Sequence, residues 1–225
     1  MNERRLLTVC HGLPPYYGGG ERAAWALASA AARAGWQVEA LTSDIGGRLP
    51  PRETVDGVDV RRVPARKKEW TNHTVSELLS FLVSARRRQA SIPPLRPVDR
   101  ILAHFSLPGG WAARSLSRRD GVPYGVVLHG SDVPGHQPGR FGRLYPLAAI
   151  PTRRVWKDAR AVFAVSAELK RRAEDLAPGL RVHHIPNGVD TRLFQPLEDR
   201  PPPSSKGWNI ACVAQFVDVK GHRRS

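Results

Sequence analysis

Cysteine is scarce in this sequence: Cys10 and Cys212 are the two among 225 residues, each in an apolar run far from the other. Such a pair excludes a disulfide framework and offers no metal-ligand spacing, so both read as buried, reduced thiols. Long hydrophobic runs are lacking too. The N-terminus offers Leu6–Cys10, closed at once by His11 and Gly12, which is too short for the apolar core of a signal peptide. No stretch approaches the roughly 20 apolar residues that span a bilayer. The expected compartment is the cytosol. Internal repeats are absent, and acidic residues are few: 20 Asp and Glu stand against 35 Lys and Arg, a net charge of +15. A field of that sign attracts nucleic acid, anionic lipid head groups or nucleotide-sugar pyrophosphates alike, and an arginine-rich proteome alone would also produce it. The arginines are scattered rather than interleaved with aromatics, and no DNA- or RNA-binding signature accompanies them. Nucleic acid is therefore not the expected partner.

What the sequence does contain is alternation. Strands are expected at Leu6–Cys10, Gln37–Thr42, Val58–Val63, Arg100–His104, Tyr124–Leu128, Ala161–Val165 and Val182–Ile185. Helices are expected at Glu21–Ala34, Val75–Arg88, Trp111–Asp120 and Ala167–Leu176, with another between Tyr145 and Asp158. Strands separated by helices imply right-handed crossovers and a parallel sheet covered on both faces. The fold class is α/β, a doubly wound Rossmann-like parallel sheet. The first helix is Ala-rich, which lets it lie close to the sheet, and Gly35 is placed to end it. The second carries Leu78, Leu79, Phe81, Leu82 and Val83 ahead of Arg86, Arg87 and Arg88. A basic end on an apolar helix suits an anionic membrane surface, or a core helix whose last turn complements the macrodipole; the core helix is the preferred reading. Pro201–Pro203 with Ser204 and Ser205 reads as a linker, followed by a new strand at Trp208–Ala214. The expected division is a domain over 1–200, a linker over 201–207, and over 208–225 the start of a second domain that is cut short.

Chemistry is written in the loops beyond the strand ends, where open α/β sheets bind ligands. After strand one comes Pro14-Pro15-Tyr16-Tyr17-Gly18-Gly19-Gly20-Glu21 and then a helix. Consecutive glycines let backbone amides approach a ligand, and a helix N-terminus favours negative charge. A dinucleotide fingerprint would need a third spaced glycine, which is missing, although Asp44 could serve as its ribose-binding acid. Glu21 also sets a carboxylate where a pyrophosphate would lie, and a plain tight turn explains the glycines as well. His129 and Asp132 flank Gly130-Ser131 at the end of the Tyr124–Leu128 strand and form a polar cluster on the same rim. Ser166 is placed to cap the helix that follows it, which accounts for it structurally. Ile185-Pro186-Asn187-Gly188-Val189-Asp190, then Phe194 and Pro196, is less generic than an ordinary Asn-Gly turn.

Taken in order, these strings resemble family-four retaining glycosyltransferases of the GT-B fold. The matches are Pro-Pro-x-x-Gly-Gly-x-Glu at 14–21, Leu27-Ala28, Gly35, Asp99 to His104, and Leu107-Pro108-Gly109-Gly110. They continue with His-Gly-Ser-Asp at 129–132, Val165-Ser166, Pro186-Asn-Gly-Val-Asp, Phe194-x-Pro and Lys220-Gly221. The resemblance runs through essentially the whole chain and makes it the N-terminal half of a GT-B fold. It implies two domains facing a cleft, the first mainly holding the acceptor and the second the nucleotide-sugar, UDP- or GDP-linked. It implies that Gly18 and Gly19 contact donor phosphate or sugar, with Glu21 and Asp132 beside them. His129 would stand by the donor sugar and support the transition state. Ser166 would line the substrate cleft, Asn187 and Asp190 would mark its hinge side, and Lys220 would reach the donor pyrophosphate. Such transfer retains the anomeric configuration, needs no cofactor and usually no metal, and none of the residue clusters here has metal-ligand spacing. The acceptor would be a glycan or a lipid-linked sugar, and the basic charge with the helix near Phe81 is compatible with peripheral contact at the inner membrane face.

Two departures stand against the pattern. Gln215 occupies the place nearest the arginine that normally clamps the pyrophosphate, which removes a permanent charge and a bidentate donor. The paired glutamates of the second domain, which hold donor sugar and ribose, are absent. As it stands the polypeptide carries the acceptor wall and is expected to be inactive alone. The alternative is a non-catalytic carbohydrate- or lipid-binding module on the same fold.

Overall fold

A computed structural model describes residues 4–15, 18–44, 46–65, 74–91, 97–135, 145–196 and 213. Residue contacts divide the chain into two units, Met1–Gly188 and Val189–Ser225. The expected strand at Trp208–Ala214, the linker and Cys212 lie outside the described residues, Val213 apart.

In the first unit the elements run β1 (Arg5–Val9), α1 (Gly19–Arg33), β2 (Gln37–Ser43), β3 (Arg52–Val55), β4 (Val58–Val63) and α2 (Val75–Ser91). They continue with β5 (Arg100–His104), a wide π-type turn (Ser106–Gly110), α3 (Trp111–Asp120) and β6 (Tyr124–Leu128). Last come α4 (Tyr145–Asp158), β7 (Ala161–Ala164), α5 (Ala167–Leu176) and β8 (Val182–His184). One sheet of eight strands has the order β3-β4-β2-β1-β5-β6-β7-β8, parallel throughout except where β3 meets β4. Strand order reverses at β1, with β2 and β4 added on one side of it and β5 to β8 on the other, so loops after β1 and β5 open side by side at one rim.

Side-chain alternation splits the core between the two faces. On β1, Leu7 and Val9 join a cluster with Phe81, Ile101, Leu116, Val126, Trp156 and Leu169 under α2 to α5. Cys10 points the other way, into a cluster with Ala24, Ala28, Val38, Ala40, Val58 and Val60 beneath α1. Helix α1 meets the sheet through its alanines, whereas Leu27 is half exposed. It ends where Gly35 takes φ 85°, the left-handed conformation that glycine adopts without strain. Helix α2 is a core helix: Phe81 and Ala85 are buried while Leu79 and Val83 face out. Its start is a capping box, with the Glu77 amide donating to Thr74 Oγ1 at 3.3 Å and the Thr74 amide to Glu77 Oε2 at 2.8 Å.

Strand β3 was not among the expected elements. It pairs antiparallel with β4 across Asp56-Gly57, whose φ values of 52° and 77° suit a two-residue hairpin turn. The hairpin takes the place of a crossover helix, and Asp56 is tied back to α1 by the Trp25 Nε1 donor at 3.1 Å. Cys10 is buried and free of any disulfide, and its thiol donates to the Gly12 carbonyl at 3.0 Å. Burial first, and then the nearby Glu21 charge, push that thiol well above its ordinary pKa, which keeps it unreactive.

Candidate active site

Three strand ends and one helix end build the site. Helix α1 starts at Gly19 with Gly18 as an extended N-cap and no capping side chain, so its first amides lack intrahelical partners. A Cβ on Gly19 would meet nothing within 4 Å among the described residues, so this corner faces open space among them. Gly20 does the reverse: a Cβ there would overlap the tip of the Phe105 ring and sit 3.0 Å from His129 Cγ. Glycine at 20 therefore brings the helix N-terminus directly against the ends of β5 and β6. The Glu21 carboxylate is buried, folds back over Gly18 and stands 3.7 Å from His11 Nε2.

Beyond β5 the backbone is strained. Phe105 has φ 67°, uncommon for a side chain of its size, and it starts the wide turn Ser106–Gly110. A Cβ on Gly109 would overlap the His104 carbonyl oxygen and lie 3.1 Å from that of Val9. Backbone atoms cannot step aside, which is the physical content of the Leu107-Pro108-Gly109-Gly110 string. The strain is held by Asp132. Its Oδ2 accepts from the Ser106 amide (2.7 Å) and hydroxyl (2.9 Å), and its Oδ1 from the His129 and Gly130 amides, each 3.0 Å away. Trp156 Nε1 donates to the Ser106 hydroxyl from below at 2.9 Å. Asp132 thus clamps the β5 loop to the β6 loop.

Inside this clamp lies a group of rings. His104 Nδ1 and His129 Nε2 are 3.0 Å apart, Phe105 stands 4.8 Å from His129 by ring centroids, and His11 meets Phe105 edge-on at 4.9 Å. His104 is pushed down to a pKa of about 3, by burial first and then by the neighbouring His129. Burial also lowers His129, against the pull of Asp132 and Glu21. Both rings are therefore neutral at physiological pH.

That has a consequence for stability. The unfolded chain protonates His104 near pH 6.5, whereas the folded chain resists until about 3. Between those limits the unfolded state binds more protons, so stability falls as pH falls, by about 1.4 kcal/mol per pH unit for this one group. It is flat with respect to His104 above that window. Urea unfolding at pH 7, 6 and 5 should show this slope in the wild type and a slope smaller by about one proton in His104→Asn; equal slopes would refute it.

Of the residues expected at the site, Gly18, Gly19, Glu21, His129 and Asp132 come together at this rim. Ser166 caps α5, its hydroxyl accepting from the Leu169 amide at 3.2 Å. Asn187 is exposed at the end of the first unit, and Asp190 belongs to the second, where it accepts from the Arg192 amide at 3.0 Å. Lys220 and Gln215 lie outside the described residues. Asp44 spends its carboxylate on the Gly47 and Leu49 amides, at 2.8 and 3.3 Å, which is a loop-closing role. Sequence reasoning passed over His11, His104, Phe105 and Ser106. The signal was present: adjacent parallel strands end at one rim, so the last residue of β5 should have been read together with His129.

Residues 17–193 match the family described as Glycosyltransferase Family 4. The chain belongs to that family. Among curated proteins, TuaC of Bacillus subtilis, named as a candidate teichuronic acid biosynthesis glycosyltransferase, is 35% identical over 104 residues, which cover 45% of this chain and 24% of TuaC. Among solved structures, sucrose-phosphate synthase of Thermosynechococcus elongatus superposes with a TM-score of 0.68 at 18% identity, over 88% of this chain and 51% of the synthase. The catalytic domain of starch synthase IV of Arabidopsis thaliana, bound to ADP and acarbose, gives 0.62 at 13% identity, over 88% of this chain and 54% of that one. At such identities the likeness is one of fold, and that fold is GT-B, with β1 to β8 as its N-terminal half. The chain spans about half the length of these solved relatives. Within family 4, then, the His129 rim lies on the N-terminal side of the fold.

Proposed function

We propose that this chain supplies the acceptor-side wall of a retaining glycosyltransferase that draws its sugar from a UDP- or GDP-linked donor. The observation that carries the reading is the glycine-started N-terminus of α1 lying beside His129, with Gly19 facing open space among the described residues. A departing nucleoside diphosphate gains negative charge, and aligned amides at a helix start stabilise charge without reorganising. In this reading Gly18 and Gly19 offer backbone amides to the donor phosphate or sugar, and His129 contacts the sugar. Glu21 and Asp132 shape the rim, Ser166 lines the cleft, Asn187 and Asp190 mark its hinge side, and Lys220 reaches the pyrophosphate. Residues 1–200 form the acceptor-side domain, 201–207 the linker, and 208–225 begin the donor-side domain. The acceptor is a glycan or a lipid-linked sugar, a direction supported by the relative named for teichuronic acid biosynthesis. No described helix is long and apolar enough to cross a membrane. A cytoplasmic enzyme touching anionic lipid at the inner face is consistent with the net charge of +15.

In the reaction the bond from the anomeric carbon to the diphosphate oxygen breaks while the acceptor oxygen bonds to the same face of that carbon. The acceptor proton leaves with the diphosphate. The test joins residues 1–200 to a donor-binding domain of family 4 and offers UDP- and GDP-sugars with glycan and lipid-linked acceptors. Proton NMR of the product should show the donor's anomeric configuration retained. An inverted product would overturn the mechanism, and acceptor binding without transfer would favour a binding module.

A further inference from the structure

His104 has no part in the function proposed above, yet it is a polar residue almost wholly enclosed near the site, 1% exposed at the last position of β5. One ring nitrogen, Nδ1, faces His129 Nε2 at 3.0 Å, and the rings stack at 26°. The other, Nε2, is buried and meets no hydrogen-bonding partner among the described residues, and the same holds for His129 Nδ1. Two neutral imidazoles facing each other in this way share one proton between them, and just two arrangements exist. If His129 donates through Nε2, the single N–H of His104 is forced onto Nε2, an orphan donor inside the sheet. If His104 donates through Nδ1, its Nε2 keeps a bare lone pair and the N–H of His129 falls on Nδ1.

Each arrangement leaves one N–H without an acceptor among the described residues, so location decides between them. Buried orphan N–H groups are rarer than under-used acceptors, because desolvating a donor costs more where nothing can replace water. Both orphan nitrogens are buried, but His104 as a whole is enclosed in the core, whereas His129 is half-buried at the rim, the side from which a ligand oxygen would arrive. Asp132 fixes the backbone of His129 through its amide, which leaves ring orientation to His104 and Phe105.

We infer that His104 is a positioning residue that donates from Nδ1 to His129 Nε2 and thereby holds His129 in its Nδ1–H tautomer, as a neutral hydrogen-bond donor toward an oxygen of the bound sugar. The ligand role rests on the function proposed above, whereas the tautomer does not. With Nε2 occupied, His129 cannot serve as a base through that nitrogen, and its part in transfer is to donate and orient.

The test is a long-range proton–nitrogen NMR correlation on the full chain labelled with nitrogen-15 histidine, at neutral pH and without ligand. His129 should show a protonated Nδ1 and a bare Nε2; a protonated Nε2 would overturn the inference outright. In His104→Leu the pattern should switch to Nε2–H, and in His104→Asn, whose amide nitrogen stands near the place of Nδ1, it should persist. Persistence in the Leu variant would overturn the positioning role. Should that variant fail to fold, the wild-type and Asn spectra still decide. In the enzyme completed by a donor-binding domain, His104→Leu should lower kcat on the order of tenfold or more, with KM little changed and Asn restoring most of the loss. Because the spectra need no turnover, an absent transfer activity would count against the proposed function and leave the tautomer standing or falling by itself.

Discussion

A polypeptide of residues 1–225 is expected to form no glycosidic bond, whichever nucleotide-sugar and acceptor it is given. Positioning two reactants supplies a large share of an enzyme's acceleration, equivalent to about 7–11 kcal/mol in well-oriented cases. In a two-domain cleft that positioning needs both walls. The first unit brings one rim, made of the α1 amides and the ring cluster around His129. The family resemblance implies paired glutamates of a second domain holding donor sugar and ribose, which residues 1–225 do not include, and it sets Gln215 at the place of a pyrophosphate-clamping arginine. In the proposed reading Lys220 is the remaining cation of that set, and a single ammonium is worth far less than a dry, preorganised group of donors. The comparison is a transfer assay on residues 1–225 beside the same sequence joined to a family donor domain. The joined form should turn over while the short form stays at the background rate of donor hydrolysis. Comparable rates from both would mean that one wall suffices, and the division of labour proposed here would be wrong.

How much of this was legible in the residues differs by element. The parallel strands were, because β-branched runs such as Val58–Val63 and Tyr124–Leu128 are bounded by turn residues at the distances that crossovers need. Strand β3 was missed although Asp56-Gly57 is a strong hairpin signal, because Arg52-Glu53-Thr54-Val55 is short, polar and almost wholly exposed, leaving no hydrophobic periodicity to detect. The capping box at Thr74 and Glu77 follows a rule that sequence can apply, although the helix was legible as a core helix from its apolar run ahead of Arg86, Arg87 and Arg88 alone. At the site, the motif strings located the rim but not its wiring. Asp132 looked like a ligand-binding acid; two of its four donors are the amide and hydroxyl of Ser106 beyond β5, twenty-six residues away along the chain, and the other two are the nearby His129 and Gly130 amides. Nor could the sequence indicate that His104 and His129 would face each other, since that depends on the register pairing His104 with Val127 across β5 and β6. Sheet topology placed the functional loops, and register placed the functional atoms.

Replacing His129 by Ala is expected to lower turnover of the completed enzyme on the order of 10²-fold or more while leaving a folded protein. The expectation follows from where the ring stands: at the end of β6, beside the glycine start of α1, with Phe105 on one side and His104 behind it. A donor held there by neighbours needs no reorganisation as charge develops on the leaving group, and alanine offers nothing in its place. Stability should fall as well, because the truncation leaves His104 Nδ1 without its partner, at a cost of about 1–3 kcal/mol. That is tolerable against the roughly 5–15 kcal/mol of a typical domain, and the Asp132 clamp acts through the backbone of residue 129, which the substitution retains. Thermal melts and kcat measured on the same preparations separate the two effects. His129→Gln provides the control: its amide oxygen can stand near the place of Nε2, accept from His104 and should recover stability, yet it does not carry a ring donor to the sugar, so turnover should stay low. Wild-type turnover in the Ala variant would remove His129 from catalysis. Loss of folding in both variants would make the ring a structural group, and the rim would then need another residue to contact the sugar.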